Sequence, residues 1–169
     1  MGSQKHFIDF RRLALEDAGA LAEFYNALSG ESKRLFRPLS EKTDKYRCIE
    51  LANDNVADCK YDLVAVYEAV VVGWAFVWNV EEPHECTFGI GVSDDWQGRG
   101  IGKMLMAQVL DSCHQRGIIR VHLIVVQDNV RAQSLYKQMG FSVTGAEVGS
   151  DGQDYFKMVK SIEKGGNSQ

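Results

Sequence analysis

At 169 residues, with 45% apolar and 25% charged residues, the chain has globular composition and a length suited to one domain. Nineteen Lys and Arg against 23 Asp and Glu leave a formal charge of -4, which excludes a global basic field for nucleic acid or an anionic membrane. Its most apolar stretch, Val70 to Val80, is broken by Gly73 and Asn79 and falls far short of the ~20 residues of a membrane-spanning helix.

Met1 to Phe10 carries Lys5, His6 and Asp9 without an apolar signal core, and Gly2 lacks the Ser or Thr at position 6 of a myristoylation signal, so a cytoplasmic location is expected. His6 to Leu13 reads as a first strand. Glu16 to Leu28 reads as a helix, because Ala18, Leu21, Ala22, Tyr25 and Leu28 recur at helical steps. The following segment, SGESKRLFRPLS, is polar, basic and closed by Pro38, which predicts a loop or short helix leading to a helix around Glu41 to Ala52.

Asp62 to Glu68 and Val70 to Val80 are rich in Val, Tyr, Trp and Phe and read as a β-hairpin turning near Ala69 and Val70. A strand from Glu85 to Val92 follows the EEPH turn. Ile101 to Gln115 has a helical period through Ile101, Met104, Leu105, Val109 and Cys113, ended by Gly117. Val121 to Val126 is an apolar run expected of a strand covered on both faces, and Val130 to Met139 a short amphipathic helix closed by Gly140. Phe141 to Glu147 and Asp154 to Val159 flank GSDG and should form a last hairpin. With no repeat or composition break, one mixed α/β domain over 1–162 is expected, followed by a flexible tail at 163–169.

Cys48, Cys59, Cys86 and Cys113 stand singly, without a C-x-x-C pair, and His6, His84, His114 and His122 form no metal spacing. Reduced thiols and no metal are the expectation. Cys113 falls on the apolar face of its helix and reads as core, with no evident His partner to make it a nucleophile.

The informative segment is GIGVSDDWQGRGIGK, Gly89 to Lys103: a strand, an acidic turn, alternating glycines and a helix start. Glycines let backbone approach a ligand, while free N–H groups and the dipole at a helix start favour an anion such as a pyrophosphate. A P-loop fails because Lys103 precedes Met104, and a dinucleotide fingerprint fails because Gly98, Gly100 and Gly102 give G-x-G-x-G. Gly89 and Gly91 within a strand point to close ligand approach there.

This arrangement resembles the acetyl-CoA signature Q/R-x-x-G-x-G/A of the GNAT N-acetyltransferase superfamily, met here by Gln97, Gly100 and Gly102. The family's second segment is similar to QDNVRAQSLYKQMGF, with Asn129, Ala132, Tyr136 and Gly140-Phe141. The resemblance implies a central twisted, mixed and mostly antiparallel sheet of about six or seven strands flanked by about four helices. It also implies acetyl-CoA as co-substrate and an acyltransferase that moves the acetyl group to a primary amine: a protein lysine or N-terminus, a polyamine or another small amine. Ile90, Gly91 and Val92 would pair with the pantetheine arm. Gln97, Gly98, Arg99, Gly100, Ile101, Gly102 and Lys103 would hold the pyrophosphate, and Asn129 would contact the ligand.

Tyr136 is implied as the acid that protonates the departing thiolate. Glu85 is the nearest analogue of the family's base, with His84 and Glu81 as substitutes, since a protonated amine cannot attack a thioester. Asn129 fits a helix N-cap as well as a ligand contact, and Tyr136 fits a core position too. Lys33, Arg34 and Arg37 fit either a solvated face or a substrate contact. LSGESKRLFRPLS also resembles the S-x-E-S/D-R-x-x-R-F run of protein-lysine acetyltransferase domains, with the order altered to Leu35-Phe36-Arg37. No membrane or direct nucleic-acid partner is expected, and the reading leaves room for a homodimer. The alternative is a non-catalytic acyl-CoA-binding regulatory module of the same fold.

Overall fold

The computed structural model describes residues 7–55, 60–81 and 84–163; His6, Cys59, Glu82, the side chain of Glu81 and the tail from 164 on lie outside the described residues. The chain runs β1 (Asp9–Arg12), α1 (Ala18–Ala27), α2 (Gly30–Leu35), α3 (Lys45–Asp54), β2 (Tyr61–Tyr67), β3 (Val70–Glu81) and β4 (Glu85–Val92). It continues with α4 (Ile101–Gln115), β5 (Arg120–Val126), α5 (Val130–Gln138), β6 (Ser142–Val148) and β7 (Asp154–Ser161). The expected helix around Glu41 starts later because Asp44 caps it, its side chain accepting from Arg47 N. The basic segment holds the short α2, which brings the α-helices among the described residues to five, in keeping with the expected fold.

The seven strands lie in the order β1-β2-β3-β4-β5-β7-β6, and β4 with β5 is the parallel pair. That pair joins only Glu85–Thr87 to Arg120–His122, although β4 continues to Val92 and β5 to Val126. Past Thr87 and His122 the strands part, leaving the outer half of β4 with a free edge facing the gap.

Each face of the sheet carries its own core. On one, α4 packs Ile101, Leu105, Met106, Val109 and Cys113 against Leu63, Val72, Val77, Cys86, Phe88 and Val121. On the other, α1 and α3 bury Leu21, Phe24, Tyr25, Cys48 and Leu51 with Val64, Val71, Trp74 and Phe76. Alternation along the strands sends even-numbered β4 residues to the first core and odd-numbered ones to the second face.

One carboxyl lies inside the sheet. Asp62 of β2 is fully buried and accepts from the indole N–H of Trp74 at 2.8 Å and of Trp78 at 3.2 Å. Burial pushes its pKa up to about 6 against the pull of those bonds. Asn55 holds the adjacent backbone, accepting from Asp62 N at 2.7 Å and donating to Leu13 O at 3.1 Å.

Candidate active site

A cleft of about 430 Å³ opens where β4 and β5 separate. Its walls come from the outer half of β4, the first turn of α4, the inner face of α5 and, across the mouth, α2. Of the residues read from the sequence as cofactor contacts, Ile90, Gly91, Val92, Gln97, Gly98, Gly100, Ile101, Gly102, Lys103 and Asn129 all line it, as does Tyr136.

The anion-binding end is built by backbone. Gly98 (φ 78) and Gly100 (φ 82) take left-handed conformations that a side chain resists, and nothing lies within 4 Å of a Cβ built on Gly100. Gly100 precedes α4, whose first N–H groups have no partner in the helix and whose first turn holds no acidic residue. Those donors face the cleft with Lys103. Gln97 closes the loop by donating to Val92 O at 3.1 Å. A phosphate-bearing ligand fits this open, donor-rich cradle.

Arg99, expected among the cofactor contacts, turns away and sets its guanidinium 4.7 Å from the centre of the Trp96 ring. Arg131 lines the cleft from α5 and reaches towards Gly98, where a Cβ would lie 3.4 Å from its Nη2. Arg131 stands two residues beyond Asn129, in the first turn of a helix recognised for its other residues, and that position was the available signal.

Asn129 is the N-cap of α5, accepting from Ala132 N at 3.2 Å, and lines the cleft as well. Tyr136 likewise combines both readings. Its ring stands edge-on to Phe88 at 6.3 Å in the core, and it is among the residues that line the cleft. Burial raises its pKa, so the phenol stays protonated and can donate.

Glu85 does not line the cleft. It sits at the start of β4, where both oxygens are engaged: Arg120 Nη1 lies 3.1 Å from Oε1 and His122 Nε2 2.6 Å from Oε2. His122 is the more exposed partner, 44% against 27%. It stands at the fork where the strands part, a position set by long-range pairing that no local pattern announces. His84, the substitute for Glu85, takes a turn conformation with φ 65.

The close-approach glycines have a different occupant from the expected ligand. A Cβ on Gly89 would overlap the Phe76 ring, and one on Gly91 would overlap the ring of Phe36. Aromatic side chains therefore cover that face of β4, leaving its edge for a ligand backbone. Cys113 has a partner after all: its thiol and that of Cys86 interact in the core, which with burial holds Cys86 far above its usual pKa. Neither thiol reaches the cleft, which removes the nucleophile reading.

Two sets of bonds hold α2 across the mouth. Asp94, in the turn after β4, accepts from Ser29 N at 3.0 Å, Ser29 Oγ at 2.6 Å and Ser32 Oγ at 2.7 Å. Partial burial opposes its charge, yet these bonds keep its carboxyl below the usual range. At the other side Arg34 donates to Asp128 at 3.1 Å and Gln153 at 2.8 Å. Arg34 is thus a bridge rather than a free surface cation.

Residues 21–141 match the acetyltransferase (GNAT) family. The chain belongs to that family. A GNAT acetyltransferase of Streptococcus pneumoniae superimposes with a TM-score of 0.82 at 21% identity, covering 93% of this chain and all of the other. A putative acetyltransferase of Salmonella typhimurium, solved with acetyl-CoA, gives 0.79 at 17% identity over 96% of this chain and 98% of its own. The L-amino acid N-acetyltransferase of Escherichia coli K12 is 33% identical over 87 residues, 49% of this chain and 54% of that protein. The mycothiol acetyltransferase of Jonesia denitrificans is 39% identical over 77 residues, 44% of this chain and 24% of that protein. The matched stretches thus span from a quarter to about half of these two curated relatives. The GNAT family is one of acetyltransferases, and the Salmonella neighbour holds acetyl-CoA as its cofactor. Among the described residues no helix is long and apolar enough to cross a membrane, and no group of His, Cys, Asp and Glu could hold a metal ion.

Proposed function

We propose that this protein moves the acetyl group of acetyl-CoA directly to a primary amine, with Tyr136 as acid and the Glu85–His122 pair as the proton acceptor. The observation that carries the reading is the meeting of three features in one cleft: the free edge of β4, the bare start of α4 and the buried phenol of Tyr136. In the transfer, a bond forms between the amine nitrogen and the acetyl carbon while the carbon–sulfur bond breaks. A backbone N–H of Ile90 to Val92 stabilises the negative charge on the carbonyl oxygen. The Tyr136 hydroxyl gives its proton to the departing sulfur.

The amine proton leaves through His122. With Nε2–H donated to Glu85, Nδ1 keeps its lone pair, and Glu85 fixes the ring as a carboxylate fixes the histidine of other acyl-transfer sites. Arg120 holds the second oxygen of Glu85 and so steadies the pair. Relatives include a mycothiol acetyltransferase, an L-amino acid N-acetyltransferase and a ribosomal-protein alanine N-acetyltransferase, and a structural neighbour is a spermidine N-acetyltransferase. An amine acceptor for this chain is in keeping with most of them. A cytoplasmic setting completes the reading, supported by the free thiols of Cys48, Cys86 and Cys113.

The test is release of free CoA thiol from acetyl-CoA over a panel of amines, followed by Glu85→Gln and His122→Gln with the best acceptor. Both variants should lose turnover near neutral pH and regain much of it as pH rises and the free amine accumulates. Binding of acetyl-CoA without thiol release to any amine would leave the non-catalytic module instead.

A further inference from the structure

Tyr136 packs with Phe88 on one face of β4, and the other face is paved with rings from its outer half towards the fork. Phe36 lies on Gly91 and Phe76 on Gly89, each where a Cβ would overlap the ring, and Trp78 stands opposite Thr87. The Phe36 and Phe76 rings are 6.2 Å apart between centres, and Phe76 stacks on Trp78 at 3.8 Å. Of these three rings Phe36 is the one that lines the cleft, with Leu35 beside it, while Ile124 and Val125 of β5 line the opposite wall. The end of the cleft away from the phosphate cradle is thus a gap between one ring and the apolar side chains of β5.

Phe36 is held firmly in that place. Its ring stands edge-on to Tyr25 at 6.5 Å and to Trp74 at 5.8 Å, and both of those side chains are fully buried. Its own N–H donates to Ser32 O at 2.9 Å, which closes the last turn of α2. That helix is pinned on both flanks, by Asp94 to Ser29 and Ser32 and by Arg34 to Asp128 and Gln153. A ring wedged between buried aromatics and a strand backbone yields little, because interiors are close-packed.

We infer that Phe36 sets the length of the acyl group, its ring leaving room for the methyl of an acetyl thioester and excluding the chain of a propionyl or longer one. The inference rests on the acetyl transfer proposed above. A thioester carbon is planar and offers three directions. In that transfer its oxygen meets a backbone N–H of Ile90 to Val92 and its sulfur faces Tyr136, so the acyl chain takes the third direction, past Gly91 and into the gap beside Phe36. The balance of the step is the same for any acyl group: the carbon–nitrogen bond forms, the carbon–sulfur bond breaks, the amine's proton passes to His122 and the sulfur's comes from Tyr136. Phe36 exchanges no proton and acts on the choice of thioester alone.

The intact protein is assayed with acetyl-CoA, propionyl-CoA and butyryl-CoA, each with the amine that the wild type acetylates best, reading thiol release and product mass. The wild type should use butyryl-CoA roughly tenfold less well than acetyl-CoA in kcat/KM, or worse, as a site that rejects one or two methylenes does. Phe36→Leu should raise the propionyl to acetyl ratio, and Phe36→Ala the butyryl to acetyl ratio, each by about tenfold. Ser32→Ala loosens α2 without changing the ring and should leave both ratios at wild-type values. Circular dichroism and acetyl-CoA calorimetry check each variant, and Phe36→Leu, which keeps an apolar side chain on Gly91, carries the test where Phe36→Ala fails to fold. Equal use of the three thioesters by the wild type, or ratios unmoved in folded Phe36→Leu, overturns the inference while leaving acetyl transfer standing. Ratios that rise as far in Ser32→Ala overturn it too, since the seating of α2 would then be the limit. Absence of thiol release from acetyl-CoA with every amine overturns both.

Discussion

The ring of Phe36 occupies the space that a side chain on Gly91 would need. Two residues far apart in sequence are thereby locked together, and α2 is seated on the strand whose free edge borders the cleft. Gly91→Ala should force Phe36 off the strand, costing about 1–3 kcal/mol as overpacking usually does. Thermal unfolding measures the loss, and a Phe36→Leu change in the same chain should recover part of it. Equal melting temperatures for wild type and Gly91→Ala would mean that Phe36 yields freely and does not fix α2.

Gly100→Glu should abolish acetyl-CoA binding. The residue sits at φ 82 with open space before it, so a carboxylate would both strain the turn and enter the approach of the phosphates. Arg131→Gln, a milder change at the same end, should weaken binding about fivefold to twentyfold, the range of a partly exposed charge contact. Calorimetry checks both, with circular dichroism confirming the fold. Unchanged affinity in folded Gly100→Glu would remove the phosphate cradle.

Tyr136→Phe keeps the ring against Phe88 and Phe141 and deletes only the hydroxyl. Turnover should fall by roughly ten- to ten-thousandfold, the span of a lost general acid, with acetyl-CoA affinity nearly unchanged. Full activity would return Tyr136 to a purely structural role.

The β4 to α4 unit and its glycine loop were legible in the sequence because their signals are local. Gly98 and Gly100 sit in a short segment, and the period of α4 runs from Ile101 to Gln115 as observed. Asn129 and Tyr136 were legible for the same reason. What escaped depends on pairs distant in sequence: Asp94 with Ser29, Glu85 with His122, and Phe36 with Gly91. Arg99 and Arg131 show the limit well. A basic residue inside the loop motif was the natural choice, yet an adjacent Trp96 captured it, and a cation from another helix came to the cleft.

Asp62 supplies the last prediction. Its carboxyl gives up a proton near 6 in the folded chain, against an ordinary value of 3.8, because it is buried beneath two indoles. Between those values the folded chain binds more protons than the unfolded one. Stability from this group is therefore complete below about pH 3.8 and falls as pH rises to about 6, by about 3 kcal/mol in all. Asp62→Asn keeps the size and an oxygen for Trp74 while remaining neutral throughout. The difference in unfolding free energy between the Asp62→Asn variant and wild type, from urea titrations at pH 4, 5, 6 and 8, should move in favour of the variant with rising pH and level off above about 7. The carboxylates of Asp17, Asp94 and Asp151, which are held below their ordinary range and act in the opposite sense, are present in both proteins and cancel in that difference. A difference that stays constant across the series would mean that Asp62 holds its charge with the two indole donors alone, against the burial.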